Sequence, residues 1–532
     1  MSVISYEKSR ESLVREAFSK RFRPWHQLAI VVGAISVSLG MSFWQLTVPK
    51  YVGLYDSGVY LAASIHLISG ALPYKDFAFV QPPGILILMS PAAIFSRIFG
   101  SHDGLELARV ITSFVSALNA GMLAWLVRHR GRSAMLIAGM GLALLPLASE
   151  MSSALFLEQY LVFFILLGSL AIFSSKPHGD RLSTRSLAVG GALFGFAALV
   201  KVWAFFPFVA MVITLALLYR KRVWIFVIAA ASSFVVFSLP FLLGAPGNFI
   251  RQVFVEQLTR KGYWGNNAGT LARLIGMTGF ALTRFPPTAQ EAVISFVVLL
   301  CVVAIAYTRR VGIDGLEIYL LLAALTTTLG LLAAPLFYPH YSAVALPFLL
   351  GLLAISTARL GQPLRTLTHG LESSGTDRRF VSGAIGFIGV IFVLSMILWD
   401  THFYMDLTSA EVSNSATLSE IPRYIPVGSC VIYDDVGYGV VENRLLSSDP
   451  RCPVIVDPIG IRLAWGNEST PPTLALIAQW KTYFESAQYV VRDGPAFSTI
   501  PVDEALRSWF ATNYRLLYNG DFLQIYRHDS KP

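Results

Sequence analysis

Eleven apolar stretches punctuate the chain up to Trp399: residues 25–47, 105–127, 133–149, 158–175, 186–200, 202–219, 223–243, 291–308, 315–334, 341–357 and 380–399. A run of about 20 apolar residues, coiled as a helix, satisfies its own backbone and crosses the hydrocarbon core of a bilayer. Repeated this often, such runs leave little choice but a polytopic α-helical membrane protein. The charged share supports this, at 14% against about 25% for soluble globular chains. The first 24 residues are charged and lack the apolar core of a cleavable signal, so the first stretch is expected to stay as an anchor.

Basic residues then orient the spans. With the N-terminal segment (Lys8, Arg10, Arg15, Lys20, Arg21, Arg23) in the cytoplasm, alternate loops carry Arg128/Arg130/Arg132, Lys176/Arg181/Arg185, Arg220/Lys221/Arg222, Arg309/Arg310 and Arg359/Arg365/Arg378/Arg379. Every expected inner loop is basic. The net charge of +9 is therefore topogenic, and no nucleic-acid partner is implied. Residues 85–99 are apolar enough to resemble a span, but counting them would invert all later loops. They are expected to form a juxtamembrane or re-entrant helix within the first outer loop, 48–104.

Beyond Trp399 the pattern changes. Short runs at 431–433, 454–456, 489–491 and 522–526 read as strands, and 471–486 and 503–513 have helical spacing. Residues 400–532 are thus expected to form an extracytoplasmic α/β domain, following a membrane module over 25–399 and a cytoplasmic segment over 1–24. Of the three cysteines, Cys301 lies in a span. Cys430 and Cys452 fall outside the cytosol on this topology, where a disulfide between them would persist.

The chemistry-bearing residues gather at the expected outer face. Asp56, in Leu54-Tyr55-Asp56-Ser57-Gly58, places a carboxylate beside a bilayer, where acids are costly and tend to have a task; its plainer use is as a helix N-cap. Glu158 opens the fourth span and is equally suited to complementing a helix dipole, with Glu150 as a nearby competitor. Lys201 interrupts two apolar stretches, where it either snorkels or meets an anion. Arg109 either faces the site or pairs with Glu106 one turn away. His340 and Tyr341 occupy a short outer turn, and Tyr74 and Asp76 lie in the first outer loop. The third outer loop, 244–290, holds Arg260 and Lys261 on the side where topogenic charge is not needed, which points to a bound anion or to lipid headgroups.

Asp56, the Gly-x-x-Pro-Tyr-x-Asp-Phe stretch at 70–77 and Pro82-Pro83 resemble the GT-C superfamily of integral-membrane glycosyltransferases. The likeness is to its protein O-mannosyltransferase and lipid A aminoarabinose transferase branch. Further points of likeness are Phe99-Gly100 followed by Arg109, the acid opening the fourth span, Lys201 after a Gly/Ala-rich helix, the Tyr-Pro-His-Tyr turn before Pro347, and the tail at 514–526. The resemblance implies a polyprenyl-phosphate-linked sugar donor and a cell-envelope acceptor at the outer face of the plasma membrane. It makes Asp56 the catalytic acid of the first loop and sets Lys201 and Arg109 near the donor phosphate. Two departures stand out: Glu158 replaces the Asp of many relatives, and Asp-Ser-Gly replaces the paired acids of the protein mannosyltransferases, which weakens the case for a protein acceptor.

The expected activity is therefore hexosyl or pentosyl transfer with inversion. Asp56 and Glu158 are the catalytic acids; Lys201, Arg109, Arg260 and Lys261 bind donor phosphate; Tyr74, Asp76, His340 and Tyr341 line the substrate pocket. Two separated acids neither require nor exclude a divalent metal. The rival readings are a flippase for lipid-linked saccharides and an inactive assembly scaffold, although no duplicated halves of the kind common in transporters are visible.

Overall fold

The computed structural model describes residues 24–47, 54–145, 148, 152–174, 182–220, 222–259, 303, 313–334, 337–371, 417–465 and 472–530, apart from 495, 498 and 521. The membrane part is built of helices Pro24–Leu46 (α1), Leu54–Ile68 (α2), Gly84–Leu88 (α3), Ser90–Phe99 (α4), Ser101–Leu126 (α5), Arg132–Leu144 (α6), Leu157–Phe173 (α7), Thr184–Val200 (α8), Phe205–Tyr219 (α9), Val223–Gly244 (α10), Gly315–Leu332 (α11) and Ser342–Leu371 (α12). Among the described residues six helices are long and apolar enough to cross a membrane: α1, α5, α9 with its preceding turn, α10, α11 and α12. Three more, α6, α7 and α8, are apolar but shorter. Apart from Val303, the expected spans 291–308 and 380–399 lie outside the described residues, as do Cys301 and most of the loop 244–290.

Residues 85–99 resolve into α3 and α4, which meet at the buried Met89. At five and ten residues neither is long enough to cross a bilayer. Helix α4 buries Ala92, Ala93 and Ser96 and exposes Ile94, Ile98 and Phe99, the two-faced pattern of a helix lying along an interface. Helix α8 packs along α10 through Gly191 and Gly195, where a β-carbon would collide with the carbonyls of Phe226 and Ala230. Small residues let membrane helices approach this closely.

The two ends of the helical bundle differ in chemistry. At one end, Arg130 beyond α5, Asp314 capping α11 and Arg359 in α12 converge on the buried Glu317: Arg130 pairs with Asp314 and lies 3.1 Å from Glu317, and Arg359 Nε donates to Glu317 at 3.1 Å. A buried carboxylate persists only when its charge is compensated, and two guanidinium groups do so here. At the other end α5 begins beneath the C-terminal region. Ser101 Oγ donates to the Val440 carbonyl at 2.7 Å, and the His102 N–H donates to Asn443 at 3.0 Å.

The C-terminal region contains a four-stranded sheet of Val431–Tyr433 (β1), Tyr489–Asp493 (β2), Tyr514–Asn519 (β3) and Leu523–His528 (β4), in the order β1-β2-β4-β3. Strands β1 and β2 are parallel; β2–β4 and β3–β4 are antiparallel. Helices Val436–Val441 (α13), Pro458–Trp465 (α14), Leu474–Ser486 (α15) and Glu504–Asn513 (α16) complete it. Alternation along the strands sends Ile432 and Val490 to one face, with Trp480, Phe484 and Phe510. Tyr433, Tyr489, Val491, Leu523 and Ile525 point to the other face and join the core that also holds residues of α2. The expected strand at 454–456 is instead a loop: Pro453 offers no backbone donor and Cys452 is disulfide-bonded to Cys430, so Val456 is buried without pairing. Strand β3, which was not expected, supplies the missing edge.

Candidate active site

The site is built around the first turn of α2. Tyr55, Asp56, Ser57 and Gly58 each make a different contact there. Asp56 accepts a hydrogen bond from Tyr60 Oη one turn on, at 3.1 Å. Ser57 Oγ accepts from the Leu155 N–H at 3.1 Å, tying α2 to the segment that leads into α7. Gly58 lies against α13, where a β-carbon would sit 2.5 Å from Gly437 Cα. Tyr55 reaches the C-terminal lobe, its hydroxyl donating to Asp457 Oδ1 at 2.8 Å. Helix α2 is not one of the spans, and Asp56 stays partly exposed. Burial pushes its carboxyl up to about 6; Lys201 and the Tyr60 hydroxyl pull it down, and Glu158 and Asp457 push it further up.

Those same influences place Glu158 and Lys201 in the electrostatic neighbourhood of Asp56. Glu158, in the first turn of α7, is fully buried and ion-paired with Lys201, itself buried. Lys201 sits in extended backbone where α8 breaks, and its ammonium lies 4.0 Å from the centre of the Tyr341 ring. This lysine does not snorkel. His340 Nε2 is 3.8 Å from Glu158, and the imidazole stacks on Phe156. Gly84 sets the break from below: a β-carbon there would lie 2.6 Å from the Leu199 carbonyl, so α3 presses directly on the turn that carries Lys201.

Other expected site residues are placed differently. Arg109 is buried, with Nε donating to the Ser153 carbonyl at 2.9 Å and a guanidinium nitrogen 3.3 Å from Glu106, so it braces the approach to Glu158. Tyr74 has φ of 68°, rare for a residue with a side chain. Its hydroxyl donates to the Gln81 carbonyl at 2.6 Å and its ring packs on Phe249, so it is a strut of the first loop. Asp76 is exposed and accepts from the Leu72 N–H at 2.6 Å, closing a turn. Arg260 and Lys261 lie outside the described residues, just past a helical stretch ending at Thr259. That stretch is clasped to the first loop: Gln252 accepts from the Phe79 N–H at 2.8 Å, and Gln257 donates to the Val80 carbonyl at 2.6 Å.

Residues 79–339 match the model of glycosyltransferase family 87. In three dimensions the chain is similar to ArnT from Cupriavidus metallidurans bound to undecaprenyl phosphate, at 13% identity, covering 94% of this chain and 98% of that one with a TM-score of 0.57. The apo form of the same protein matches at 14% identity, 93% and 97% coverage and a TM-score of 0.56. The chain has the GT-C fold. An archaeal oligosaccharyltransferase, AglB from Archaeoglobus fulgidus, matches at 14% identity over 89% of this chain and 70% of that one, with a TM-score of 0.49. No protein of curated function matches in sequence.

Within this GT-C fold, the lobe's share of the site was not legible in the sequence. Asp435 caps α13 through the Gly437 N–H at 2.8 Å, and burial pushes its carboxyl up to about 7, with Asp493, Asp56 and Asp434 adding to the shift. Asp457 and Asp435 thus face the first loop from the far end of the sequence. Their partner glycine was visible: Ser57 and Gly58 directly follow Asp56, and each proves to be a contact point. Among the described residues no group of three or more His, Cys, Asp or Glu side chains is arranged to hold a metal. The arrangement offers a partly buried carboxylate able to take a proton and a rigidly held ammonium able to stabilise an anion.

Proposed function

We propose that this transferase moves one sugar from a polyprenyl-phosphate donor to a cell-envelope acceptor at the extracytoplasmic face, with inversion. The convergence of Asp56, Glu158 and Lys201 at one end of the bundle, beneath the C-terminal lobe, carries this reading. Asp56 removes the acceptor hydroxyl proton as that oxygen bonds to the anomeric carbon. The bond from that carbon to the phosphate oxygen breaks with its electron pair, leaving the polyprenyl phosphate. Lys201, with Arg260 and Lys261, meets the phosphate charge. Glu158 and His340 fix the ammonium, and Arg109 braces the segment before α7. The undecaprenyl phosphate in the similarly folded ArnT supports the donor class. The orientation is supported by Arg128, Arg130 and Arg359 lying at the end of the bundle away from the site.

The test is transfer by the purified protein from polyprenyl-phosphate sugars to envelope glycolipid acceptors. Asp56→Asn should lower kcat by about 10²–10⁴, the usual range for loss of a general base. The wild-type rate should rise with pH through about 6, because the base acts only when ionised. Wild-type rates in the Asn variant would dismiss Asp56 as the base.

A further inference from the structure

Tyr55 is joined to the catalytic carboxylate by one peptide bond and to the C-terminal lobe by two hydrogen bonds. Its hydroxyl donates to Asp457 Oδ1 at 2.8 Å and accepts from the Ile459 N–H at 3.0 Å, so both of its capacities are used by the start of α14. Asp457 is buried, and the same Oδ1 also accepts from the Gly460 N–H at 2.7 Å. A side chain at 460 would collide with the other carboxylate oxygen. The lobe therefore holds Asp457 rigidly and offers it to Tyr55. Three residues along α2, the backbone contact of Gly58 with Gly437 makes a second point of attachment. Two contacts flanking Asp56, one polar and one steric, fix both the rotation and the depth of the helix turn that carries it.

We propose that Tyr55 and Asp457 form a clasp through which the C-terminal lobe positions Asp56 for proton transfer. They are positioning residues, and the lobe is a working part of the catalytic centre. The proposal rests on Asp56 being the base. It ties Tyr55, the residue next to this acid, to a lobe residue 402 positions away. Asp56 is faced by Lys201, Glu158, Tyr60 and Asp457, and its own charge is felt by Asp435 on α13. Of these, Asp457 is the one that both bonds to the neighbouring residue and opposes ionisation of Asp56.

Full-length Tyr55→Phe, Asp457→Ala, Asp457→Asn and Asp56→Asn proteins, purified alongside wild type, test this. Removing the hydroxyl in Tyr55→Phe should lower kcat about tenfold with donor KM nearly unchanged, since small misplacements of a reacting group cost up to about 10²-fold. Asp457→Ala should behave the same way. Asp457→Asn keeps an oxygen that accepts from Tyr55, so kcat should return to within about threefold of wild type. The same variant removes a negative charge that raises the Asp56 pKa, so the acidic limb of its pH–rate profile should move to lower pH. A purely structural role would not shift that limb. Wild-type kcat in Tyr55→Phe, or an unmoved limb in Asp457→Asn, overturns the clasp while leaving the base assignment standing if Asp56→Asn is inactive. Full activity in Asp56→Asn overturns both. Thermal unfolding in detergent separates a misfolded lobe, and the Asn variant keeps the question decidable if Asp457→Ala unfolds.

Discussion

Glu158 and Lys201 form an ion pair almost wholly removed from solvent, where neither charge is stable alone. Removing one partner of such a pair strands the other, at a cost of about 3–5 kcal/mol, whereas replacing both by neutral groups of similar size is often tolerated. Lys201→Met should therefore lower the melting temperature sharply, and Lys201→Met combined with Glu158→Gln should recover most of it without recovering transfer. Recovery of both stability and transfer would mean that the ammonium has no part in the chemistry. The acids and the lysine were legible in the sequence because charge inside or beside apolar stretches is conspicuous. Their pairing was not, because Glu158 opens one helix and Lys201 ends the next. Tyr55 and Asp457 were illegible for a different reason. A tyrosine near a span and an aspartate before a proline look ordinary until the chain brings them within hydrogen-bond reach.

At the scale of elements, the site depends on two places where helices meet backbone to backbone. Gly58 touches α13, and Gly84 touches the end of α8. A methyl group at either position meets backbone atoms, which cannot swing aside as a side chain can. Gly84→Ala should displace the Lys201 turn and Gly58→Ala should lift the lobe from α2. Each should reduce kcat by about tenfold or more while helical content, read by circular dichroism, stays unchanged. Unaltered kinetics in both would show that the close approaches do not set the site geometry. The long helices were readable from apolar length alone, and α15 and α16 from their periodicity. Residues 454–456 misled because β-branched composition reports a preference to be buried and says nothing of whether a neighbouring strand is there to pair with. Residues 85–99 were separated from the true spans by the charge of the loops that follow, and their break at Met89 agrees with a segment that does not cross.

The molecule as a whole couples a lipid-facing bundle to a lobe stapled by Cys430–Cys452. The staple closes a loop with a sequence separation of 22 residues beside the core of Ile432, Trp480 and Phe484. Replacing both cysteines by serine should destabilise the lobe by about 2–4 kcal/mol. That should appear as faster proteolysis of the C-terminal quarter in detergent, with the bundle left intact. Equal protease resistance with and without the bridge would make it dispensable. The sheet of this lobe is apolar on both sides: one face packs on α15 and α16, and the other, through Tyr433, Val491, Leu523 and Ile525, joins the core that α13 shares with α2. Such a body has no water-compatible underside. Released as a separate fragment it would display a sticky plane and self-associate. Grafted onto a foreign bundle it would seat only where that surface had been rebuilt to match. The match between lobe and bundle is thus set largely by one short helix, α13, and the apolar core it shares with α2.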